Sequence, residues 1–225
     1  MKLFEALGIS NSNKVIDRKR DDYLKHKIAA QHTKKSGSPY EKIGDGMYSD
    51  VYKHKEKPEV IKIGNSLSSD NKDAYLNYLD VVMKSDRMAS NPYLPRVYKV
   101  KRYNQDLGHT DYVVKMEPLS PLLALEIEDL IAIWRKAFGQ DSSPPTIGDP
   151  FELVHDLANM LSSYIYYRKP VDGMVKIVDK QLLQAIAIIS NLRKRGGGVL
   201  DLHAENIMAR RTSIGPQLVI TDPLS

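Results

Sequence analysis

Residues 201–208 read DLHAENIM, and residues 219–225 read VITDPLS. The first stretch places Asp201 five residues before Asn206, and the second ends an apolar run on Asp222. Mg²⁺ prefers oxygen ligands, so the Asn206 amide and the Asp222 carboxylate are candidate metal ligands. The Asp201 carboxylate is a candidate for accepting a hydroxyl proton. The alternative interpretation is that all three residues are loop caps in a β-hairpin region.

Two further features lie upstream among short strand-like segments. Residues 44–51 read GDGMYSDV, where Gly44 and Gly46 would let the backbone approach a phosphate chain closely. Residues 60–63 read VIKI, so Lys62 lies in an apolar strand, where burial without an anion would be costly. A pair of phosphates is a suitable anion. The alternatives are an ordinary hairpin turn and an edge-strand lysine.

The pattern along the chain predicts the fold class. With 225 residues, 42% of them hydrophobic, the chain can form one sizeable domain or two small lobes that share a cleft. Strand patterns cover 40–63 and the runs RVYKVKRY and TDYVVKME, with a helical segment at 70–88 between them. Helical patterns over 121–139, 151–167 and 176–195 precede a final strand pair. We therefore expect an α+β architecture in which five short strands and one helix precede a mainly helical second half.

Composition narrows the functional classes. The formal net charge of +5 suits phosphate-bearing or acidic partners without by itself indicating nucleic-acid binding. The absence of cysteine excludes disulfides, thiolate metal sites and cysteine nucleophiles. No run of 18 apolar residues is present, and the N-terminal stretch MKLFEALGIS is too short and polar for a signal peptide. We expect a cytoplasmic protein that does not bind a membrane.

The order of these features resembles the signature set of protein kinases: glycine loop, strand lysine, helix, strand pair, helical region, Asp-x-x-x-x-Asn, strand and Asp. The resemblance implies an α+β, bilobal protein-kinase-like fold, with a five-stranded antiparallel amino-terminal lobe that carries one helix and a reduced, mainly helical carboxy-terminal lobe. It also implies a catalytic set and a metal-binding pair, with ATP and Mg²⁺ as cofactors. The catalytic residues would be Asp201, Lys62 and His203, and the metal ligands Asn206 and Asp222. The nucleotide-binding residues would be Gly44, Gly46, Ser49, Val51, Lys62, Met116, Glu117 and Leu119. Within that set Met116 would be the gatekeeper, and the backbone of Glu117 and Leu119 would hold the adenine.

The resemblance also implies a division of the chain. Residues 1–39 would be a basic helical extension, 40–117 the amino-terminal lobe, and 118–225 the reduced carboxy-terminal lobe. The charged stretch 14–35 is interpreted as a solvated helix docked on the body, and a docking patch for a substrate or for nucleic acid is the alternative. Nucleic acid is otherwise an unlikely partner.

A narrower resemblance rests on VIKIG, DLHAENIM and VITDPLS. These segments are similar to the short serine/threonine kinases made early in infection by lytic phages of the podovirus type. That resemblance implies phosphorylation of host proteins, including the transcription machinery, and autophosphorylation in the host cytoplasm.

Several positions depart from the kinase pattern. Ser49 replaces the third glycine of the loop, and Val199-Leu200 replaces the His-Arg pair before the catalytic aspartate, so no phosphate-dependent switch of the usual kind is expected. Pro223-Leu224 replaces Phe-Gly after the metal-binding aspartate. No glutamate lies between residues 65 and 90, so Asp73 is the candidate partner for Lys62, and the alternative is that no such pair exists.

Other hypotheses remain open. His203 stands where protein kinases usually carry lysine, and aminoglycoside phosphotransferases are similar in carrying histidine there. That histidine, and the end of the chain three residues past Asp222, favour a small-molecule phosphotransferase as the second hypothesis. A kinase-like inhibitor that acts by binding is the third, and a nucleic-acid binder using residues 14–35 is the fourth. Trp134 and Phe138 are expected in the core.

Overall fold

The structure is a computed structural model of the chain. It describes residues 38–45, 49–66, 74–84, 90–104, 110–169, 175–196 and 198–225. The predicted extension over 1–39 lies outside the described residues except for its last two positions. Gly46 of the glycine loop and Asp73, the candidate partner of Lys62, also lie outside them.

Five strands form one sheet in the order β1-β2-β3-β5-β4. The strands are β1 (Tyr40–Asp45), β2 (Ser49–His54), β3 (Val60–Ser66), β4 (Val97–Asn104) and β5 (Thr110–Met116). Strands β1 and β2 pair antiparallel, as do β2 and β3. Helix α1 (Ala74–Lys84) lies between β3 and β4 in the chain.

One face of this sheet carries a small apolar core. The register pairs Tyr52 with Ile61, and these two residues are buried together with Ile63 and Val113. Branched and aromatic side chains of this kind pack well on a pleated surface. Because side chains alternate between faces along a strand, the neighbouring positions of β2 and β3 point to the opposite face.

The second half of the chain is mainly helical. Its elements are β6 (Ser120–Pro121), a 3-10 turn (Leu122–Ala124), α2 (Ile127–Phe138), α3 (Pro150–Tyr167), α4 (Lys180–Lys194), a second 3-10 turn (Ala204–Asn206), β7 (Ile207–Thr212) and β8 (Gly215–Ile220). Strands β6, β7 and β8 form a three-stranded sheet in that order.

Two of the three helices predicted for the second half of the chain begin at clear capping residues. The Asp149 carboxylate accepts from the backbone N–H groups of the first turn of α3, and Asp179 does the same for α4. The helix predicted over 121–139 is shorter than expected and begins at Ile127. Its predicted first turns are instead β6, which pairs with β7, and the 3-10 turn that follows it.

The core of the helical half includes the residues expected there. Trp134 and Phe138 are buried, and their ring centroids lie 4.5 Å apart. The Trp134 indole N–H donates to the Ser142 hydroxyl at 3.0 Å, which satisfies its one polar group. The prediction that both aromatic residues belong to the core is confirmed.

Contacts divide the chain into two compact units. The first comprises Met1–Asn71 and Lys99–Lys115, and the second Lys72–Tyr98 and Met116–Ser225. Helix α1 therefore groups with the helical half. The predicted fold class is confirmed as α+β, with a five-stranded antiparallel sheet followed by a mainly helical second half. The lobe boundary near residue 117 stays a prediction.

Within the described ranges, no helix combines the length and apolar character needed to cross a membrane.

Candidate active site

The β7–β8 hairpin brings two of the predicted residues to one end. Its register runs from Thr212↔Gly215 at the turn to Ile207↔Ile220 at the open end. Asn206 immediately precedes β7, and Asp222 lies two residues after β8. The Thr221 backbone N–H and hydroxyl both donate to the Asn206 carbonyl oxygen, at 2.9 and 3.0 Å. Strand pairing alone therefore places the predicted metal ligands at the same end of the hairpin.

The loop that carries Asp201 is anchored by backbone pairing to the end of the chain. The Asp201 N–H donates to the Pro223 carbonyl oxygen at 3.0 Å, and Leu200 forms an antiparallel bridge with Leu224. The Leu202 carbonyl oxygen accepts from the Ser162 hydroxyl of α3 at 3.0 Å. These three contacts hold the loop between α3 and the segment that follows β8.

Alternation along this loop exposes the polar residues. Leu202 and Ala204 are buried, whereas Asp201 and His203 are exposed. The side chain of Asp201 retains 49% of its accessible surface, so its carboxylate can meet a ligand. Apolar burial at every second position therefore explains why the polar residues of DLHAEN face solvent.

Asn206 closes the loop onto Asp201 and His203. Its amide Nδ2 donates to the Asp201 carbonyl oxygen at 2.5 Å and lies 3.0 Å from His203 Nε2. His203 Nε2 also lies 3.9 Å from Asp201 Oδ1. The structure thus brings these three predicted residues together within one short loop.

The contacts of His203 constrain its tautomer. Acceptance of an Asn206 N–H by Nε2 requires the proton on Nδ1, whereas acceptance of the Glu205 N–H by Nδ1 requires the opposite tautomer. The Asn206 contact is 3.0 Å and the Glu205 contact is 3.4 Å. One neutral imidazole ring can therefore make only one of these two bonds.

The donor set fits a hard cation. Because Asn206 Nδ2 is used by the Asp201 carbonyl oxygen, the amide oxygen Oδ1 is the atom that Asn206 can offer to a metal. Asp222, at the same hairpin end, supplies a carboxylate. One amide oxygen and one carboxylate, completed by phosphate oxygens, are ligands suited to Mg²⁺. Across the described residues, no group of three or more His, Cys, Asp or Glu side chains could hold a metal ion.

The strand that leads to Asp222 is held from the side by two tyrosines. The Tyr78 hydroxyl of α1 donates to the Ile220 carbonyl oxygen at 2.6 Å, and the Ile220 N–H donates to the Tyr93 carbonyl oxygen at 2.9 Å. Burial raises the pKa of the Tyr78 hydroxyl well above its usual value, and the nearby charges of Tyr75 and Asp222 add to the effect. Tyr78 was not predicted from the sequence, where it reads only as a tyrosine on the apolar face of α1.

In the first unit, three predicted residues form one row across three strands. Gly44 pairs with Val51, and Val51 pairs with Lys62. Residues directly opposite one another in neighbouring strands share a face of the sheet. A Cβ built on Gly44 would meet no atom within 4 Å among the described residues, which therefore leave room for a ligand there. Ser49 pairs with Gly64 beside this row.

The segment predicted to bind adenine is anchored by a buried ion pair. The Glu117 carboxylate accepts from Arg210 Nη2 at 2.5 Å and Arg210 Nε at 2.7 Å. It also accepts from the Arg96 backbone N–H at 2.8 Å. Met116 is buried, and Leu119 is half-buried. Sequence reasoning missed Arg210, which reads as an ordinary basic residue at the end of a strand.

The predicted residues thus fall into two groups. Gly44, Ser49, Val51 and Lys62 belong to the first unit, whereas Met116, Glu117, Leu119, Asp201, His203, Asn206 and Asp222 belong to the second.

Comparisons with known proteins give little beyond this geometry. No family model matches the chain. No curated protein matches it either. Among solved structures, it is similar to a MAP kinase from Leishmania major, with 14% sequence identity and a TM-score of 0.39. The match covers 91% of this chain and 51% of that kinase, so the chain spans about half its length. A likeness of this size carries no argument about activity.

Proposed function

We propose that the chain is an ATP- and magnesium-dependent phosphotransferase that acts as a serine/threonine protein kinase. The observation that carries the proposal is the loop in which Asp201, His203 and Asn206 meet, at the hairpin end that Asp222 also shares. An exposed carboxylate, an amide oxygen and a second carboxylate at one place are the groups that phosphoryl transfer requires.

Asp201 orients the acceptor hydroxyl and accepts its proton. Its backbone N–H and carbonyl oxygen are both engaged, by Pro223 and Asn206 respectively, so the residue is anchored while its carboxylate stays exposed. A rigid backbone with an accessible carboxylate favours catalysis by positioning, because little order remains to be gained when the substrate binds.

Asn206 Oδ1 and the Asp222 carboxylate would hold the metal. Mg²⁺ bound there would neutralise the negative charge that develops on the transferred phosphoryl group. In the first unit, Lys62 would pair with phosphate oxygens, and the open backbone at Gly44 would allow the phosphate chain to approach the sheet.

In the reaction, the acceptor hydroxyl oxygen forms a bond to the γ-phosphorus of ATP while the bond from that phosphorus to the β–γ bridging oxygen breaks. The hydroxyl proton passes to Asp201, and the products are a phosphoester and ADP. Positioning and charge neutralisation supply most of the rate enhancement in this class of reaction.

The substrate class is inferred from the resemblance to early phage kinases carried by VIKIG, DLHAENIM and VITDPLS. It favours serine and threonine side chains of host proteins, including the transcription machinery, and of the chain itself. The site of action would be the host cytoplasm. Nucleic acid is not a substrate in this proposal.

The test compares the wild type with Asp201→Ala and with Asp141→Ala, which alters an exposed aspartate in the loop after α2. Each protein is incubated with radiolabelled ATP, Mg²⁺ and host lysate, and labelled sites are identified by mass spectrometry. We expect serine and threonine labelling by the wild type and Asp141→Ala, and a loss of at least about 100-fold with Asp201→Ala. A folded, nucleotide-bound wild type that labels neither itself nor the lysate would contradict the proposal.

The second candidate is a small-molecule phosphotransferase, which the position of His203 against Asp201 and Asn206 favours. A histidine there is the feature that resembles aminoglycoside phosphotransferases. ADP release that depends on an aminoglycoside or a sugar, without protein labelling, would support this candidate. Full biological effect of Asp201→Ala would instead identify a module that inhibits a host enzyme by binding.

A further inference from the structure

Helix α1 contacts the end of β8 through the phenol of Tyr78. The Tyr78 side chain is fully buried, and its hydroxyl donates to the Ile220 carbonyl oxygen at 2.6 Å. Ile220 is itself fully buried and lies two residues before Asp222. The contact joins residues 142 positions apart, so it depends entirely on tertiary packing.

The bonds of Ile220 and Thr221 fix the end of β8 on several sides. Ile220 pairs with Ile207 across the hairpin and donates its N–H to the Tyr93 carbonyl oxygen. Thr221 donates to Asn206. The Tyr78 hydroxyl supplies the link between this strand end and α1, and a buried backbone carbonyl that lost its donor would be left unsatisfied.

The described part of α1 has a single carboxylate, at Asp80. That carboxylate lies 4.0 Å from Lys84 one turn along the helix. The hydrogen bond from the Tyr78 hydroxyl to the Ile220 carbonyl oxygen needs no charged group on α1. It persists at any pH at which the phenol keeps its proton.

We propose that Tyr78 is a positioning residue for Asp222: its hydroxyl ties α1 to the strand end that presents the metal-binding carboxylate. The inference rests on the proposed function, because it assigns Asp222 a metal to bind. The alternative is that Tyr78 is a core residue whose hydroxyl merely finds a convenient acceptor.

The test compares Tyr78→Phe with Tyr164→Phe. Both substitutions remove one hydroxyl oxygen and keep the ring. Tyr164 is also a buried residue, but its hydroxyl donates to the Val175 carbonyl oxygen at 3.1 Å and accepts from the Ile177 N–H at 2.9 Å. Its loss therefore controls for a general loss of stability, which is monitored through the unfolding midpoint of each variant.

Two measurements report on the order and the metal binding of the residues at the end of β8. In the absence of ligand, hydrogen exchange at the Thr221 amide should be about 3- to 10-fold faster in Tyr78→Phe, the range expected for loss of one buried hydrogen bond. With a fluorescent ATP analogue, the Mg²⁺ concentration for half-maximal binding should rise by a similar factor. Tyr164→Phe should leave both values unchanged, and binding of the analogue without Mg²⁺ should be equal in all three proteins.

The outcomes separate the two proposals. If the wild type binds the analogue in a Mg²⁺-dependent way and Tyr78→Phe changes neither exchange nor the Mg²⁺ requirement, Tyr78 is a core residue and the inference is wrong. Equal changes in both variants would likewise identify a general stability effect and overturn it. If the wild type shows no Mg²⁺-dependent binding, the proposed function is wrong, and the inference falls with it because Asp222 then has no metal to position.

Discussion

Replacement of Arg210 by methionine should destabilise the second unit severely. The Arg210 and Glu117 side chains retain only 9% and 7% of their accessible surface. Besides its two bonds to Glu117, the guanidinium donates to the Pro92 and Leu94 carbonyl oxygens, at 2.8 and 2.9 Å. Methionine fills similar volume but supplies no donor. Two carbonyl oxygens would therefore lose the guanidinium, and among the described residues the Glu117 carboxylate would keep only the Arg96 N–H.

The expected loss is about 5–7 kcal/mol. Removal of one partner from a buried ion pair costs about 3–5 kcal/mol, because the remaining charge is buried without compensation. Each buried carbonyl left without a donor adds about 1 kcal/mol. A loss of this size is a large part of a typical total stability of about 5–15 kcal/mol.

Urea denaturation followed by tryptophan fluorescence measures this loss, because the chain has a single tryptophan, Trp134, buried in the same unit. Lys84→Met is the matched control, since Lys84 forms an exposed pair with Asp80 and should cost less than about 1 kcal/mol. Addition of Glu117→Gln to Arg210→Met should recover at least about 1 kcal/mol by removing the buried charge. A cost below about 1 kcal/mol, or no recovery in the double variant, would refute the reasoning.

Two further predictions concern the backbone and pH. Gly198→Ala should lower the free energy of unfolding by more than about 2 kcal/mol, because φ is +108° and a Cβ would collide with the Ala74 side chain. Gly196→Ala is the control: φ is +80° and no described atom lies within 4 Å of its Cβ, so it should cost about 1–2 kcal/mol. Equal losses in thermal unfolding of the two variants would contradict this prediction. The Tyr40 hydroxyl bonded to Glu59 at 2.6 Å holds the pKa of that carboxyl below its usual value. The resulting stability is present above about pH 4 and is lost as the pH falls through the lowered pKa, so urea midpoints of Glu59→Gln should fall less steeply on acidification than those of the wild type.

Much of the fold could be predicted from local patterns. The five strands and the helix between β3 and β4 follow from alternation and from turn residues, which act over a few positions. Helices α3 and α4 could be predicted because their apolar periodicity begins beside the capping residues Asp149 and Asp179. Such signals are local, and tertiary packing does not oppose them here.

The start of α2 could not be predicted in the same way. Residues 121–126 continue the helical pattern of PLLALEIEDLIAIW, yet β6 pairs with β7 and the helix begins at Ile127. The partner strand lies more than 80 residues away in the chain, with Ser120 opposite Ala209. A pairing between such distant segments overrides local helix propensity and leaves no trace in a short window of sequence.

The candidate site likewise has features that the sequence predicts and features that depend on tertiary packing. The amino-acid sequence alone determined which groups are present and their order, since Asp201, Asn206 and Asp222 flank an apolar strand pair whose register follows from alternation and a glycine turn. Only the tertiary structure decided what holds the end of β8 and the segment at Glu117. The Tyr78 hydroxyl and the Arg210 guanidinium find acceptors 142 and 93 residues away, because burial forces each polar group to take a partner that lies nearby in space. That requirement depends on the packed chain as a whole, and the spacing of residues along the sequence does not record it.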